Sequence, residues 1–489
     1  MSVWTVNRWR LGISSWSTRP RTMIPKFNRP SLSSSLSRQF SFSALRQASP
    51  RNENAPKINF YSNSHVLRYA EMEAAPFSLR QLIFFGKVLG RQGSNAKEFD
   101  HNLMQGANFT RVQLAIRLAR QIREFQSLPY IVTSNPYLTE TYQIYAEAFE
   151  KIRSYPEIRC RLDNQKWCQF LENLLNEHKV VIPKLAIGVA ESRSHLTNSQ
   201  IEQFMTRMLY SRISRRVLAE HHIALTRQFQ ADSPSEPSSH NFRYLGVIDT
   251  ELEVGTVVER CVELAQSALN LPNPPGSSSE PLTIHVYGEK NAKFAYIPDH
   301  LEFIVFELLL NAFRATVSSA VQRSVNLASL PIEVQIASSA THITIRISDQ
   351  AGGILPPWRP SIPDDDDETL PPTVSRREMF SFVNMATANA SLKQLISSTD
   401  GTMEGKVREQ VDQANDQCHI LSSSLPSSAS HPTNTKGFEQ IQEARLRIGL
   451  PLSSIYAQFL GGSLEMYSIP GFSDIVLCIP KLGTTTEPY

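Results

Sequence analysis

Two hydrophobic periods divide the chain. From residue 66 to 240 apolar residues recur at three- and four-residue spacing, the signature of helices with one buried face. The apolar positions between Phe109 and Leu128 keep that spacing and stop before Pro129, a residue that cannot continue a helix. Leu171 to Leu175 opens a second helical stretch that runs toward Pro183. Ile201, Phe204, Met205, Met208, Leu209, Ile213, Val217 and Leu218 mark a third, from Ile201 to Gln228, before the polar connector 229–239. Long helical patterns with short breaks predict an antiparallel four-helix-type bundle. After about residue 245 the period becomes two. Ile332, Val334 and Ile336 alternate, then Ile343, Ile345 and Ile347, which predicts a hairpin; Leu464 and Met466 with Ile475, Leu477 and Ile479 predict another. Helical segments lie between these pairs. The expected fold class is therefore α+β with two domains, a helical one over 66–240 and an α/β sandwich with a mixed sheet over 245–485.

Composition changes this picture in two places. Residues 356–436 contain Pro356-Pro357, the run Asp364 to Glu368, and a Ser-, Pro- and Thr-rich stretch at 421–435, so they read as a long lid or low-complexity insertion. Residues 1–51 carry eight arginines and Lys26 with no acid, a charge of +9 in a chain whose net charge is +3. The basic excess is thus an N-terminal address rather than a nucleic-acid surface, and no nucleic-acid partner is expected. An Arg- and Ser-rich, acid-poor start is that of a mitochondrial presequence, which places the chain in the matrix and residues 1–65 outside the fold. Arg38-Gln39-Phe40-Ser41 resembles a processing site cut after Phe40. No uninterrupted apolar run reaches 18 residues, so no membrane span is expected. The five cysteines form no C-x-x-C pair and read as reduced thiols.

Three short elements carry candidate chemistry. Glu307, Asn311 and Arg314 share one face of an otherwise apolar helix, and such a polar stripe needs water, a partner or a ligand. Ile345-Arg346-Ile347-Ser348-Asp349 is a strand that ends in a carboxylate, followed by the small residues Ala351, Gly352 and Gly353, which let a ligand approach the backbone. Gly449-Leu450-Pro451 opens a further helix, whose free amides and partial positive charge suit phosphate, and Gly461-Gly462 ends it. No P-loop, no G-x-G-x-x-G and no H-R-D or D-F-G motif accompanies them.

The order of polar helix, Asp-bearing strand, lid, Gly-Leu-Pro helix and closing hairpin resembles the GHKL (Bergerat) ATP-binding fold of gyrase, Hsp ninety chaperones and histidine kinases. Tyr210-Ser211-Arg212-Ile213-Ser214-Arg215-Arg216-Val217-Leu218-Ala219-Glu220-His221-His222 resembles the signature of the mitochondrial 2-oxo acid dehydrogenase kinases, as does His178-Lys179-Val180-Val181 through Gly188, Glu191 and Arg193. The resemblance runs from about Ser78 to Leu482. His221-His222, the Asp349 strand and Gly461-Gly462-Ser463-Leu464 look closer to the branched-chain branch than to the pyruvate dehydrogenase kinases.

That resemblance implies a protein serine kinase that inactivates a 2-oxo acid dehydrogenase complex, with ATP as substrate and Mg²⁺ as cofactor. It implies that Asn311 ligates the metal and that Glu307 is the general base. Asp349 would accept the adenine amine, Gly353 would let the loop pass the base, and Ser473 would replace an adenine-contacting threonine. Gly449 and Leu450 would lie against the phosphates, and Arg314 would support them. Arg212 and Arg216 would bind 2-oxo acid effectors. The implied partners are the dehydrogenase component, the lipoylated acyltransferase core and a second copy in a homodimer. Several positions depart from the pattern: Ala351, Arg445 and Arg447 stand where glycines are usual, Leu310 replaces a lysine, the Gly471–Asp474 turn is one residue short, and Phe303 replaces a histidine. A pyruvate dehydrogenase kinase, a catalytically weak ATP-binding scaffold on the acyltransferase core, and a histidine kinase using His221 or His222 are the alternative readings.

Overall fold

The computed structural model describes residues 64–89, 96–231, 243–268, 283–323, 325–353, 378–385, 448–469 and 471–488. The first half is helical: α1 (Ser64–Glu71), α2 (Leu79–Leu89), α3 (Ala96–Gln126), α4 (Tyr130–Thr133), α5 (Pro136–Arg153), α6 (Arg161–Glu177), α7 (Val181–Glu191) and α8 (Asn198–Ala231). Local chemistry sets several of these ends. The Asn135 side chain accepts from the amides of Tyr137 and Leu138, and Pro136 occupies the first turn of α5, where a missing N–H costs nothing. Pro183 is tolerated for the same reason: α6 stops at Glu177, α7 starts at Val181, and the proline falls in the first turn of the new helix. Helix α3 packs on α1, α5 and α8, and α6 packs on α8. Phe125 of α3 meets Tyr142, Tyr145 and Phe204 edge-on at 5.4–6.1 Å, the preferred arrangement of aromatic quadrupoles.

The second half is mixed: β1 (Tyr244–Leu245), β2 (Ile248–Glu253), α9 (Val254–Ala268), β3 (Ile284–Gly288), β4 (Lys293–Tyr296), α10 (Pro298–Arg323), β5 (Ile332–Ser338), β6 (His342–Gly352), α11 (Gly449–Phe459), β7 (Ser463–Ile469) and β8 (Gly471–Pro480). Five strands form a sheet in the order β3-β5-β6-β8-β7. Both expected hairpins, β5–β6 and β7–β8, are antiparallel, while β3 joins β5 in parallel, so the sheet is mixed. Ile345 pairs with Ile336 on one side and Leu477 on the other, which places the alternating apolar residues on one buried face. That face is covered by α10, which also contacts α9 and α11. Among the described residues, Pro298–Ala320 is the one stretch long and apolar enough to cross a membrane, and 78% of it is buried inside the fold; it is a core helix.

Two contacts were not legible in the sequence. Residues 378–385 lie inside the stretch read as an insertion, yet they dock on the helices. Glu202 of α8 accepts from Ser381 Oγ at 2.8 Å and from the Phe382 amide at 3.0 Å, and Phe382 is fully buried. The remainder of 356–436, residues 1–63, and Arg445 and Arg447 lie outside the described residues; of the expected lead 1–65, Ser64 and His65 belong to α1. The other contact joins the start of α2 to residues after β8: Ser78 bridges Thr486, and the Glu487 amide donates to Phe77 O. Glu487 also forms a fully buried ion pair with Arg117 of α3. The described cysteines, Cys160, Cys168, Cys261 and Cys478, are free.

Candidate active site

Helix α10, the end of β6 and the start of α11 bring most of the predicted residues to one region. Glu307 and Asn311 lie one turn apart on α10, and Asn311 Nδ2 donates to Glu307 O at 2.7 Å. That bond commits the amide nitrogen and leaves the oxygen, the atom a hard cation takes. Glu307 is buried. Gly449 sits directly against it: a Cβ at position 449 would lie 2.2 Å from Glu307 Oε2. Glycine here lets the Glu307 carboxylate lie against the N-terminal end of α11 without moving aside, and a carboxylate is the charge a helix N-terminus favours. Leu450 follows in the first turn of α11 and is partly buried. Arg314, three residues beyond Asn311, keeps a buried Nε without a hydrogen-bond partner.

Asp349 occupies the end of β6, 5% exposed, paired in the ladder with the equally buried Ser473 of β8. Its Oδ1 accepts from the Ala351 amide at 3.0 Å. Burial pushes its pKa up to about 6; the Ala351 amide opposes this, and the nearby Asp474 carboxylate adds to the rise. The ladder is irregular between Asp349 and Gly352, and the left-handed backbone angles fall on Gly352 (φ +108°) and Gly353 (φ +77°). The Asp loop thus has its two required glycines, and Ala351 serves as the amide donor to Asp349. Arg323, at the C-terminal end of α10, was missed in the sequence. Its guanidinium lies over Gly352, where a Cβ would meet Nη2 at 1.9 Å. The signal for it is weak, a lone arginine in the last turn of a helix.

Among the described residues no group of three His, Cys, Asp or Glu could cage a metal. The Asn311 amide oxygen, left open by the bond of its nitrogen to Glu307 O, fits a cation whose remaining ligands come from phosphate and water, as Mg²⁺ prefers.

The arginines of α8 separate. Arg216 pairs with Glu220 at 2.6 Å, one turn along the same helix. Arg212 and Arg215 are both buried and have no carboxylate partner among the described residues. Arg212 Nη2 donates to His178 O at 3.2 Å and Arg215 Nε to Ser211 O at 3.1 Å. Their other donors, Arg212 Nε and Arg215 Nη1 and Nη2, are unpartnered, as are His178 Nε2 and Tyr145 OH. The Arg215 guanidinium stacks on the Tyr145 ring at 4.5 Å, and Tyr145 meets His178 at 5.5 Å. Burial, then the charges of Arg215 and Arg212, hold His178 well below its usual range. His221 and His222 are also buried, pushed down to about 4 and about 3 mainly by burial, and His222 bonds Asn164 at 2.8 Å. They are packing residues, which removes the histidine-kinase reading.

A sequence model described as mitochondrial branched-chain alpha-ketoacid dehydrogenase kinase matches residues 76–249. The mitochondrial [pyruvate dehydrogenase (acetyl-transferring)] kinase of Arabidopsis thaliana is 26% identical over 427 residues, covering 86% of this chain and 95% of that protein. Kinase 2 of the same description from Saccharomyces cerevisiae is 25% identical over 89% of this chain and 88% of its own length. Human isozyme 1 is 25% identical over 91% and 84%. The full-length relatives carry pyruvate names, so the branched-chain preference drawn from the sequence gains no support; one of its grounds, His221-His222, is a packing feature. The helical region, the mixed sheet and the polar helix together accord with these matches: the chain is similar to the mitochondrial 2-oxo acid dehydrogenase kinases, and that similarity supports an ATP-dependent protein kinase.

Proposed function

We propose that the chain is a mitochondrial matrix protein serine kinase. Residues 245–485 are its GHKL ATP-binding domain and 66–240 a four-helix-type bundle that docks the complex; the presequence is cut after Phe40 on import. The carrying observation is the placement of Gly449 against Glu307, which joins the start of α11 to the polar face of α10. Asp349 accepts the adenine amine, with Ser473 beside it and Gly353 at the base. Gly449, Leu450 and Arg314 hold the phosphates. Asn311 ligates Mg²⁺, which when bound neutralises phosphate charge. Glu307 takes the proton of the attacking serine hydroxyl as its oxygen bonds the γ-phosphorus and ADP departs.

The acceptor is a serine of the dehydrogenase component of a 2-oxo acid dehydrogenase complex. The names of the full-length relatives favour pyruvate dehydrogenase over the branched-chain enzyme. The lipoylated acyltransferase core is the docking partner, a homodimer is the working unit, and the α8 arginines receive a 2-oxo acid effector. The test is phosphotransfer from Mg-ATP to each purified dehydrogenase, with nucleotide binding measured in parallel. Phosphoserine on the pyruvate enzyme is expected. Transfer to the branched-chain enzyme alone would reverse the choice of target, and ATP binding without transfer to either would leave the non-catalytic scaffold.

A further inference from the structure

The peptide group between Gln350 and Ala351 is hydrogen-bonded at both ends, to partners of opposite charge. Its N–H donates to Asp349 Oδ1 at 3.0 Å, and its carbonyl oxygen, that of Gln350, accepts from Arg323 Nη1 at 3.5 Å. Arg323 stands in the last turn of α10, and Gln350 follows 27 residues later on β6. A basic residue in a last turn ordinarily serves the carbonyls of its own helix. Arg323 reaches a carbonyl of another element instead, and among the described residues it has no acidic partner. The other branch of its guanidinium takes the room that Gly352 leaves, where a Cβ would meet Nη2 at 1.9 Å; Gly352 itself holds φ +108°. Two separate features thus fix the guanidinium on the Asp349 loop. Hydrogen bonds in a chain polarise one another, so a cation on the Gln350 carbonyl makes the Ala351 N–H a better donor. That favours the carboxylate form of Asp349, which burial and the neighbouring Asp474 both oppose. It also commits Oδ1 to the loop, while Oδ2 has no hydrogen-bond partner among the described residues.

We propose that Arg323 is a positioning residue for nucleotide recognition, acting through the Gln350–Ala351 peptide to aim the Asp349 carboxylate at the amine of the base. This rests on the reading of Asp349 as the adenine acceptor and adds to it a residue that touches the loop and not the nucleotide. Helix α10 then serves the site at two levels. Its middle carries Glu307 and Asn311, and its C-terminal end braces the loop that selects the base.

The test is calorimetry on the full chain with two nucleotides, each with Mg²⁺: ATP, and purine riboside triphosphate, whose base lacks the amine. The parent is expected to bind ATP about tenfold or more tightly than the amine-free analogue, because a site built to accept that hydrogen bond loses it with the analogue. Arg323→Gln is expected to weaken ATP about three- to tenfold and to leave the analogue within about twofold, so that the preference for the amine shrinks. Arg323→Lys keeps the charge on a single donor and should restore part of that preference; it carries the same comparison should Arg323→Gln fail to fold. A general loosening of the fold, or a direct contact of Arg323 with phosphate, would weaken both nucleotides alike, and that result overturns the proposal. So does a parent that prefers ATP while Arg323→Gln keeps the full preference, an outcome that leaves Asp349 as the adenine acceptor. A parent that binds both nucleotides equally removes the Asp349 reading itself, and the role of Arg323 with it.

Discussion

Arg117 and Arg215 are two buried arginines on neighbouring, mutually packed helices, and they are handled in opposite ways. Every branch of Arg117 is answered: Nε by Ser214 Oγ, Nη1 by Gln113, and Nη2 by both Ala75 O and the Glu487 carboxylate. Arg215 has one backbone acceptor and an aromatic face, with both Nη atoms unpartnered. Burial alone therefore does not distinguish a structural charge from a receptive one. The completeness of its partners does, and the same criterion separates the contact at Glu487 from the region around Arg212 and Arg314.

The largest effect should come from breaking the closed side. Arg117→Ala leaves Glu487 buried without its cation and should cost about 3–5 kcal/mol in denaturant unfolding, whereas Arg215→Leu should leave stability unchanged or raise it. A similar loss in both variants would erase the contrast. Next comes Glu307→Gln, which keeps shape at the Gly449 contact and removes the base. Phosphotransfer should fall by about 100-fold or more with ATP-analogue affinity within a few-fold, and an undiminished rate would remove Glu307 from the chemistry.

Asp349 gives the third effect, and its sign is fixed by its acidity. The folded group is raised to about 6 from 3.8, so the folded state holds the proton more tightly than the unfolded chain. Stability from this group is full below about pH 4, declines as pH rises toward 6, and stays reduced above it. Asp349→Asn should therefore stabilise the nucleotide-free protein at pH 7.5 by on the order of 2–3 kcal/mol, a gain that vanishes near pH 4. It should also weaken ATP binding by about tenfold or more, and parent affinity should fall as pH drops through about 6. A destabilised Asp349→Asn with normal ATP binding would place Asp349 among the structural residues. The smallest effect belongs to Ser381→Ala, which removes one hydrogen bond to Glu202 and should lower stability by about 1 kcal/mol; no change in melting would mean that Phe382 alone holds that segment.

What the sequence made legible follows from the range of the interaction. The helical period found α3 and α8 and the second half of α6, which opens at Arg161 and stops at Glu177 instead of opening at Leu171 and running toward Pro183, and the alternation found β5, β6, β7 and β8 with their pairing, because each is written in side chains a few residues apart. The Asp349 loop and the Gly449 helix start were legible because glycine and proline constrain the backbone locally. The resemblance pairs Arg212 with Arg216, yet four-residue spacing joins Arg216 to Glu220, and that local ion pair was the available sign that Arg216 is already matched. Arg215 needed Tyr145 and His178, which stand on other helices. Phe382 sits in a stretch whose surroundings are polar and repetitive, and its docking depends on Glu202, 180 residues away. Neither contact leaves a local pattern to read.

The Glu487–Arg117 pair spans 370 residues of chain. A ribosome makes Arg117 long before Glu487, so the helical half emerges with this cation held by Ser214, Gln113 and Ala75 O and without its carboxylate. Closing so long a loop adds little entropy beyond closing a shorter one, but it makes the final step of folding a late one. Proteins of this kind should pass through a stage with helices formed and the core still loose, ended when the C-terminal residues arrive. Deleting residues 483–489 should then slow or abolish recovery from denaturant far more than it disturbs helix content, a timing role for the segment that carries Glu487.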